Sequence, residues 1–580
     1  MRSVLGSVVT RYVPILEWLP AYQLGWLRFD TIAGLTVWAL LVPEAMAYAT
    51  LAGVPPEAGL YAALPALVLY AVFGTSRHVT VGPSSAVAVM VAATVAPLAG
   101  GDGERYVALA AAMAVLVGLI LIVAGIARLG FVSEFMAKPV LTGFIIGLAL
   151  VIAAGQADKL FGIEAEGDDF FAVIWDIIVN LGDTHLETLL VGAGCLVLLF
   201  GLKRFAPRAP AALITVALSI IAVALFDLDN RGVHIVGDIP AGLPPLAIPD
   251  VGLADFQDLL PGALGLALVV YAESIAPARS FAAKHKYNVD ANQELLALGA
   301  SNVGVGLSQG FAVDASLSRS AVNDSAGAKT QVAGLVNAGL IFVTILALTP
   351  LFHDLPDAAL AAVVISAVAH LVDVDELRHL YRLKKTDFSL AVVCMMGVLI
   401  VDVLPGLIIA VAVSILVLVY RASRPRTAVL GKVPDQDTFR DIERYPESET
   451  YPGLVIFRFE AELFFANVSY FRDRIRELVA VADPPAQAVL VDAEAIQYID
   501  TTAVAALEEL WEELADSGVE LLMARVHGRV RDMLRRSGLE ESIGASRIYP
   551  SVRAGVADYL ERHGGAGGTE GATDRPTAPT

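Results

Sequence analysis

The chain runs to 580 residues, 56% of them hydrophobic and 17% charged, with a mean hydropathy of +0.66 and a formal net charge of -20. So little charge in so apolar a chain excludes a soluble globular protein and requires a lipid bilayer. The acidic balance, with no Lys and Arg cluster, excludes nucleic acid as a partner, and two cysteines far apart in apolar runs, Cys195 and Cys394, argue against a disulfide framework or a thiolate metal site.

Residues 1–29 lack a basic, apolar and small-residue cleavage pattern, and Pro14, Glu17, Pro20 and Arg28 interrupt them; they read as a cytoplasmic amphipathic lead-in. The first span starts near Thr31. Between residues 30 and 426, apolar runs recur at the roughly 20-residue length that a hydrocarbon layer demands, and they number about fourteen. An even number with the N-terminus inside predicts which loops carry Lys and Arg. Those loops do: Arg128 and Lys138; Lys203, Arg204 and Arg208; Arg279, Lys284 and Lys286; Arg378, Arg382, Lys384 and Lys385; Arg421, Arg424 and Arg426. The outside segments 158–171 and 227–240 hold one basic residue each.

Two places share a pattern of an acid inside an apolar span followed, about forty residues on, by a hydroxyl-rich helix start. The first is Glu44 in "VPEAMAYA", then "VGPSSAVAVM" with Pro83, Ser84 and Ser85. The second is Glu273 in "VYAESIAPA", then "DASLSRSAV" with Asp314, Ser316, Ser318 and Arg319. Such repetition points to a transporter of inverted repeats with its site between them. A half-helix that begins inside the membrane leaves its first N–H groups unpaired and carries partial positive charge there, so an anion satisfies both. Pro83 fits a first-turn position, and Arg319 adds a full charge that must face a cavity or a partner.

Beyond Arg426 charge becomes dense. "GLVIFRFE" and "AVLVDAEAI" read as buried strands, and "FFANVSYFRDRIRELV", "TAVAALEELWEELADSG" and "GRVRDMLRRSGL" as amphipathic helices, which makes residues 427–563 a small α/β domain. Residues 564–580 have no apolar content to bury and are expected to be disordered.

Residues 30–90, from "DTIAGLTVWALLVPEAMAYATLAGVPPEAGLYAALP" to "VGPSSAVAVM", closely resemble the opening signature of the sulfate permease (SulP) family of anion transporters. "SLSRSAVNDSAGAKTQVAG" resembles its second signature, and "FFANVSYFRDRI" with "YIDTTAVAALEEL" its C-terminal STAS domain. The resemblance covers almost the whole chain. It implies a polytopic α-helical membrane protein of two inverted sets of seven spans, with a mobile core domain carrying the anion site, a gate domain, a cytoplasmic STAS domain and usually a homodimer. Carried over, the anion site falls on Tyr48, Ser84, Ser85, Ser316, Ser318 and Arg319, with Glu273 at the family's acidic position in the eighth span. Two departures stand out: "FAVD" has Ala312 for a proline and puts the charge of Asp314 beside the anion port, and Glu44 stands where many relatives have glutamine, as in proton-coupled members.

Each of these residues also has a plainer role. The serines can be N-caps, Tyr48 can pack between helices, and Arg319 can pair with Asp314 or Glu273. In "IDTT", Thr501 sits where phosphorylated STAS proteins carry their hydroxyl, but Asp500 and Thr501 also suit the cap of a helix from Thr502 to Ser517. The expectation is secondary active transport of a small anion, sulfate first, across the cell membrane with both termini cytoplasmic. Bicarbonate, chloride, C4-dicarboxylates and a passive anion channel are the alternatives, and soluble partners of the STAS domain are a further role. Protons are the coupled ion through Glu44 and Glu273, because Pro277 stands where a sodium site would use a hydroxyl. No cofactor, metal or enzymatic activity is expected.

Overall fold

The computed structural model describes residues 12–131, 138–163, 170–206, 209–401 and 403–563. The tail 564–580, Arg208 and the middle of the acidic segment 158–171 lie outside that set. Contacts divide the chain into two units, on either side of Ser414 and Ile415.

The first unit is helical. Its helices are α1 (Leu27–Leu51), α2 (Pro56–Phe73), α3 (Ser85–Ala99), α4 (Gly103–Ile126), α5 (Lys138–Phe161), α6 (Leu186–Phe205) and α7 (Ala211–Phe226). After a long connection come α8 (Leu253–His285), α9 (Ala291–Leu307), α10 (Leu317–Ser325), α11 (Val332–Val343), α12 (Asp357–Val368), α13 (Lys385–Val401) and α14 (Val403–Ser423), the last of which continues past the division after Ser414. Two shorter helices, Phe170–Val179 and Val374–Leu383, lie between these segments. Among the described residues, 7 helices are long and apolar enough to cross a membrane. Others are half-spans: α10 has 9 residues, about 13 Å at the usual rise. The first helix starts at Leu27, earlier than its apolar run suggests, because its first turn holds Asp30. Asp30 is buried and accepts hydrogen bonds from the Lys329 and Thr330 N–H groups at 2.7 and 3.2 Å.

α1–α4 pack with α8–α11 to form the core, and α5–α7 pack with α12 and α13 to form the gate. Gly118 of α4 and Gly299 of α9 allow a close crossing: a Cβ on either would stand 2.6 or 2.7 Å from the other's carbonyl oxygen. Small residues are what let helix backbones approach this closely in lipid. Buried Glu294 ties α9 to the end of α2, accepting hydrogen bonds from Tyr70 Oη at 2.7 Å and Thr75 N at 2.8 Å.

The two repeats meet at β1 (Val81–Gly82) and β2 (Asp314–Ala315), which pair antiparallel with Val81 opposite Ala315 and Gly82 opposite Asp314. Pro83 lacks an N–H and keeps the preceding residue out of helix, so α3 starts only after it. Pro83 therefore precedes the cap and is not in the first turn; Ser84 is the N-cap, its Oγ accepting from Val87 N, as Ser316 Oγ accepts from Arg319 N. The pair is strapped from behind. Asn302 donates to Val313 O and accepts from Val313 N, Ser274 Oγ accepts from Ala315 N, and Ser320 Oγ accepts from Thr80 N, all within 3.0 Å.

The second unit holds a sheet of six strands in the order β4-β3-β5-β6-β7-β8: β3 (Thr427–Lys432), β4 (Phe439–Asp441), β5 (Leu454–Phe459), β6 (Ala488–Asp492), β7 (Glu520–Ala524) and β8 (Ile548–Tyr549). β5 to β8 run parallel. Helices α15 (Val468–Ala480), α16 (Thr501–Asp516), α17 (Gly528–Ser537) and α18 (Val552–His563) bury their apolar faces against it. Asp500, and not Thr501, caps α16: its carboxylate accepts from Ala503 N at 2.7 Å and from Phe465 N at 2.9 Å. Thr501 is exposed as the first helical residue.

Candidate functional site

Arg319 enters α10 two residues after its start, which places its side chain at the junction of the half-helices. It is 1% exposed. Its guanidinium donates from Nη1 to Pro83 O at 2.6 Å, from Nη2 to Gly82 O at 3.2 Å and from Nη1 to Glu44 Oε2 at 3.4 Å. The arginine thus braces the start of α10 against the chain break before α3, and its Nε has no partner among the described residues. A planar fork reaches two carbonyls and a carboxylate from two fixed nitrogens, a spread that a lysine's single ammonium does not reproduce.

Glu44 is the link between Arg319 and solution. It stands after Pro43 in α1 at the inner end of a cavity of about 590 Å³. The wall is formed by Thr36 and Glu44 of α1, Ser318 of α10, Lys203 of α6 and Ser366 of α12, with Ala and Val side chains between them. The cavity follows α1 from Ile32 to Glu44, α10 from Ser318 to Ser325 and the turn between α6 and α7 at Ala209 and Pro210, so it lies on the side where α1 begins. Core and gate face each other across it.

Lys203 belongs to this cavity rather than to a loop, a difference from its placement with the basic loop residues. It lies in the last turn of α6, and its Nζ donates to Ser366 O at 2.8 Å and Ser366 Oγ at 2.7 Å. A lysine directly after an unbroken apolar helix run was the available signal.

The other expected residues gather nearby. Ser85 is the first residue of α3 and is buried, and Tyr48 is buried one turn beyond Glu44. Ser84 and Ser316 use their oxygens as caps, which leaves each hydroxyl hydrogen for another acceptor; Ser316 Oγ lies 3.0 Å from Ser318 Oγ. Glu273 of α8 does not reach Arg319 by any ion pair among the described residues; its carboxyl faces that of Asp314.

His78, His285 and Asp324 form a separate cluster with ligand atoms within 4.8 Å of one another. The two imidazoles stack at 4.1 Å with 15° between planes, and Lys284 holds Asp324 at 2.5 Å. Nearly parallel rings cannot both aim an in-plane lone pair at one ion, so this arrangement is unsuited to a metal.

Two opposed half-helices that close on one buried arginine, at the end of a cavity between two helical bodies, are the build of an inverted-repeat membrane transporter. Known proteins resemble the chain over almost its whole length. Residues 27–396 match the sulfate permease family and residues 445–555 the STAS domain. A "Probable sulfate transporter" of Mycobacterium tuberculosis is 41% identical over 543 residues, covering 93% of this chain and 97% of that protein. "High affinity sulfate transporter 2" of Stylosanthes hamata is 34% identical over 584 residues, covering 96% and 87%. Murine Solute Carrier 26 family member A9, an anion transporter solved in the inward-facing state, superposes with a TM-score of 0.88 at 25% identity, covering 96% of this chain and 95% of that one. The chain belongs to the sulfate permease family and is a transporter, not an enzyme.

Proposed function

We propose that this protein carries a small oxyanion, sulfate first, across the cell membrane together with protons, by alternating access around the junction of α3 and α10. The observation that carries the proposal is Arg319: one guanidinium, 1% exposed, where two helix N-termini converge. Charge, clustered serine hydroxyls and helix dipoles there all favour an anion. Tyr48, Ser84, Ser85, Ser316, Ser318 and Arg319 are the proposed ligands, and Glu44 and Glu273 the proposed proton carriers. Sulfate is supported by the names of the curated relatives. With both termini cytoplasmic, the side where α1 begins is the cytoplasm, and the cavity is an inward-facing one. A homodimer is the proposed assembly.

Purified protein in proteoliposomes is expected to accumulate labelled sulfate when the lumen is made alkaline and to stop when the pH difference is collapsed. Flux that follows voltage alone, with no proton requirement, identifies a passive channel instead.

The proposed domain borders are 1–29 for the lead-in, 30–426 for the transport domain, 427–563 for the STAS domain and 564–580 for the tail. The site residues all precede Ser414, where the first unit ends. Truncation after Ser423 is therefore expected to leave sulfate binding within about threefold of the full chain, a shift of under 1 kcal/mol, while lowering transport rate or assembly. Loss of binding in a monodisperse truncated protein shows that the two parts are not separable.

A further inference from the structure

Asp314 is the residue that the anion-transport reading leaves unused. It is 0% exposed, and neither carboxylate oxygen has a hydrogen-bond donor of good geometry among the described residues. Its backbone is fixed: it pairs with Gly82 across the two-stranded junction, and the next residue's N–H is held by Ser274 Oγ of α8 at 3.0 Å. That bond sets Asp314 beside Glu273, the neighbour of Ser274, and the two carboxyls face each other.

We propose that Asp314 and Glu273 hold one proton between them in the anion-free protein, forming an acid pair that carries one negative charge instead of two. The inference rests on the transport reading for its use, though not for its chemistry. The groups around the pair are Glu44 and Tyr48 of α1, the Ser84 hydroxyl at the start of α3 and Arg319 of α10, with Lys203 of α6 acting on Glu44. Only one of these, Arg319, is a cation at the junction, and its guanidinium is already committed to Gly82 O, Pro83 O and Glu44. Two ionised carboxylates facing each other, with neither Asp314 oxygen given a hydrogen-bond donor of good geometry among the described residues, repel each other in a site of low polarity. One shared proton turns that contact into a charge-assisted hydrogen bond, and the pair then titrates as a unit.

The pair also explains how an anion can bind where three acids surround one arginine. With Glu44, Glu273 and Asp314 all ionised, the junction would be a cation site. Holding a proton on the pair and loading Glu44 from solution leaves one negative charge on the pair against the arginine's positive one, so the junction is neutral overall and the two helix N-termini can draw an anion to it. The shared proton moves from one carboxyl oxygen to the other with no other bond made or broken.

The test needs no transport. Infrared difference spectra of purified anion-free protein, exchanged from water into deuterium oxide at neutral pH, report the C=O stretch of any protonated buried carboxyl. A band present in wild type, and shifted or abolished by Asp314→Asn and again by Glu273→Gln, is the expected result. A band absent from wild type, or unchanged by either substitution, overturns the pair. Each variant reads the pair from its own side, so one that misfolds leaves the other as a test. Repeating the measurement with sodium and with choline as the sole cation separates the remaining chemistry: a band that sodium removes would make the pair a monovalent cation site and also overturns the proposal. Proton-driven sulfate accumulation by wild type is scored separately, so failure of the transport reading cannot be mistaken for failure of the pair.

Discussion

Arg319→Ala is expected to raise the half-saturation concentration for sulfate by roughly tenfold to a hundredfold, the equivalent of the 1.5–3 kcal/mol that a hydrogen bond to a charged group contributes. Arg319→Lys is expected to fall between the alanine variant and wild type: it keeps the charge but not the fork. The geometry adds a second expectation. Removing the guanidinium leaves Glu44, Pro83 O and Gly82 O without their donor, and a buried charge deprived of its partner costs about 3–5 kcal/mol. Arg319→Ala should therefore also lower the melting temperature in detergent. Adding Glu44→Gln removes the orphaned charge, so the double variant should regain much of that stability and none of the sulfate affinity. An unaltered half-saturation in a folded alanine variant removes Arg319 from the ligands and leaves it as a brace.

Glu44→Gln alone is expected to separate binding from accumulation. Glu44 is held by Arg319 on one side and borders the cavity on the other, with its side chain 10% exposed. It is therefore the acid best placed to exchange protons with solution. When an anion engages Arg319, the carboxylate loses its counter-charge, and a proton restores neutrality; anion and proton then favour each other's binding reciprocally. Each proton that crosses with the anion makes a pH unit worth about 1.4 kcal/mol, or tenfold in accumulation. Glutamine keeps the size and imitates the protonated acid. The variant should exchange labelled for unlabelled sulfate at a measurable rate yet concentrate none under an inward proton gradient. Accumulation that still scales with the imposed pH difference excludes Glu44 as the coupling residue and turns attention to the Glu273 and Asp314 pair.

What could be read from the residues in order was what local chemistry determines. Apolar runs mark spans because a bilayer leaves few alternatives, and Gly82-Pro83-Ser84 marks a helix start because proline and serine each act within a turn. Arg319 was legible because charge inside apolar sequence is expensive. Its partners were not: Pro83 lies 236 residues away, and only the apposition of the two repeats brings that carbonyl within 2.6 Å. Lys203 was assigned to a loop because a basic residue at a span end usually snorkels there, whereas Ser366 of another helix draws it into the cavity wall. Asp314 looked like an obstacle to an anion, since nothing in its neighbourhood along the chain shows that Glu273 stands opposite. In the α/β domain β5 and β6 announced themselves by their runs of β-branched and aromatic residues, while "TAVLGK" and "ELLMA" are too mixed in composition to separate from loop and helix.

The short β1 and β2 pair has a mechanical consequence. Because the N-terminal ends of both half-helices hang from one backbone ladder, reinforced by Asn302, Ser274 and Ser320, the ligand cage cannot be opened by prying its two halves apart. It has to travel whole, as a carriage does on its track. The track is the gate side of the cavity, where Ala211, Ala212, Val363 and Ala367 present smooth, non-directional contacts. Grip and glide therefore reside in different residues: the ladder and its arginine decide what is carried, and the small apolar side chains of α7 and α12 decide how readily it moves.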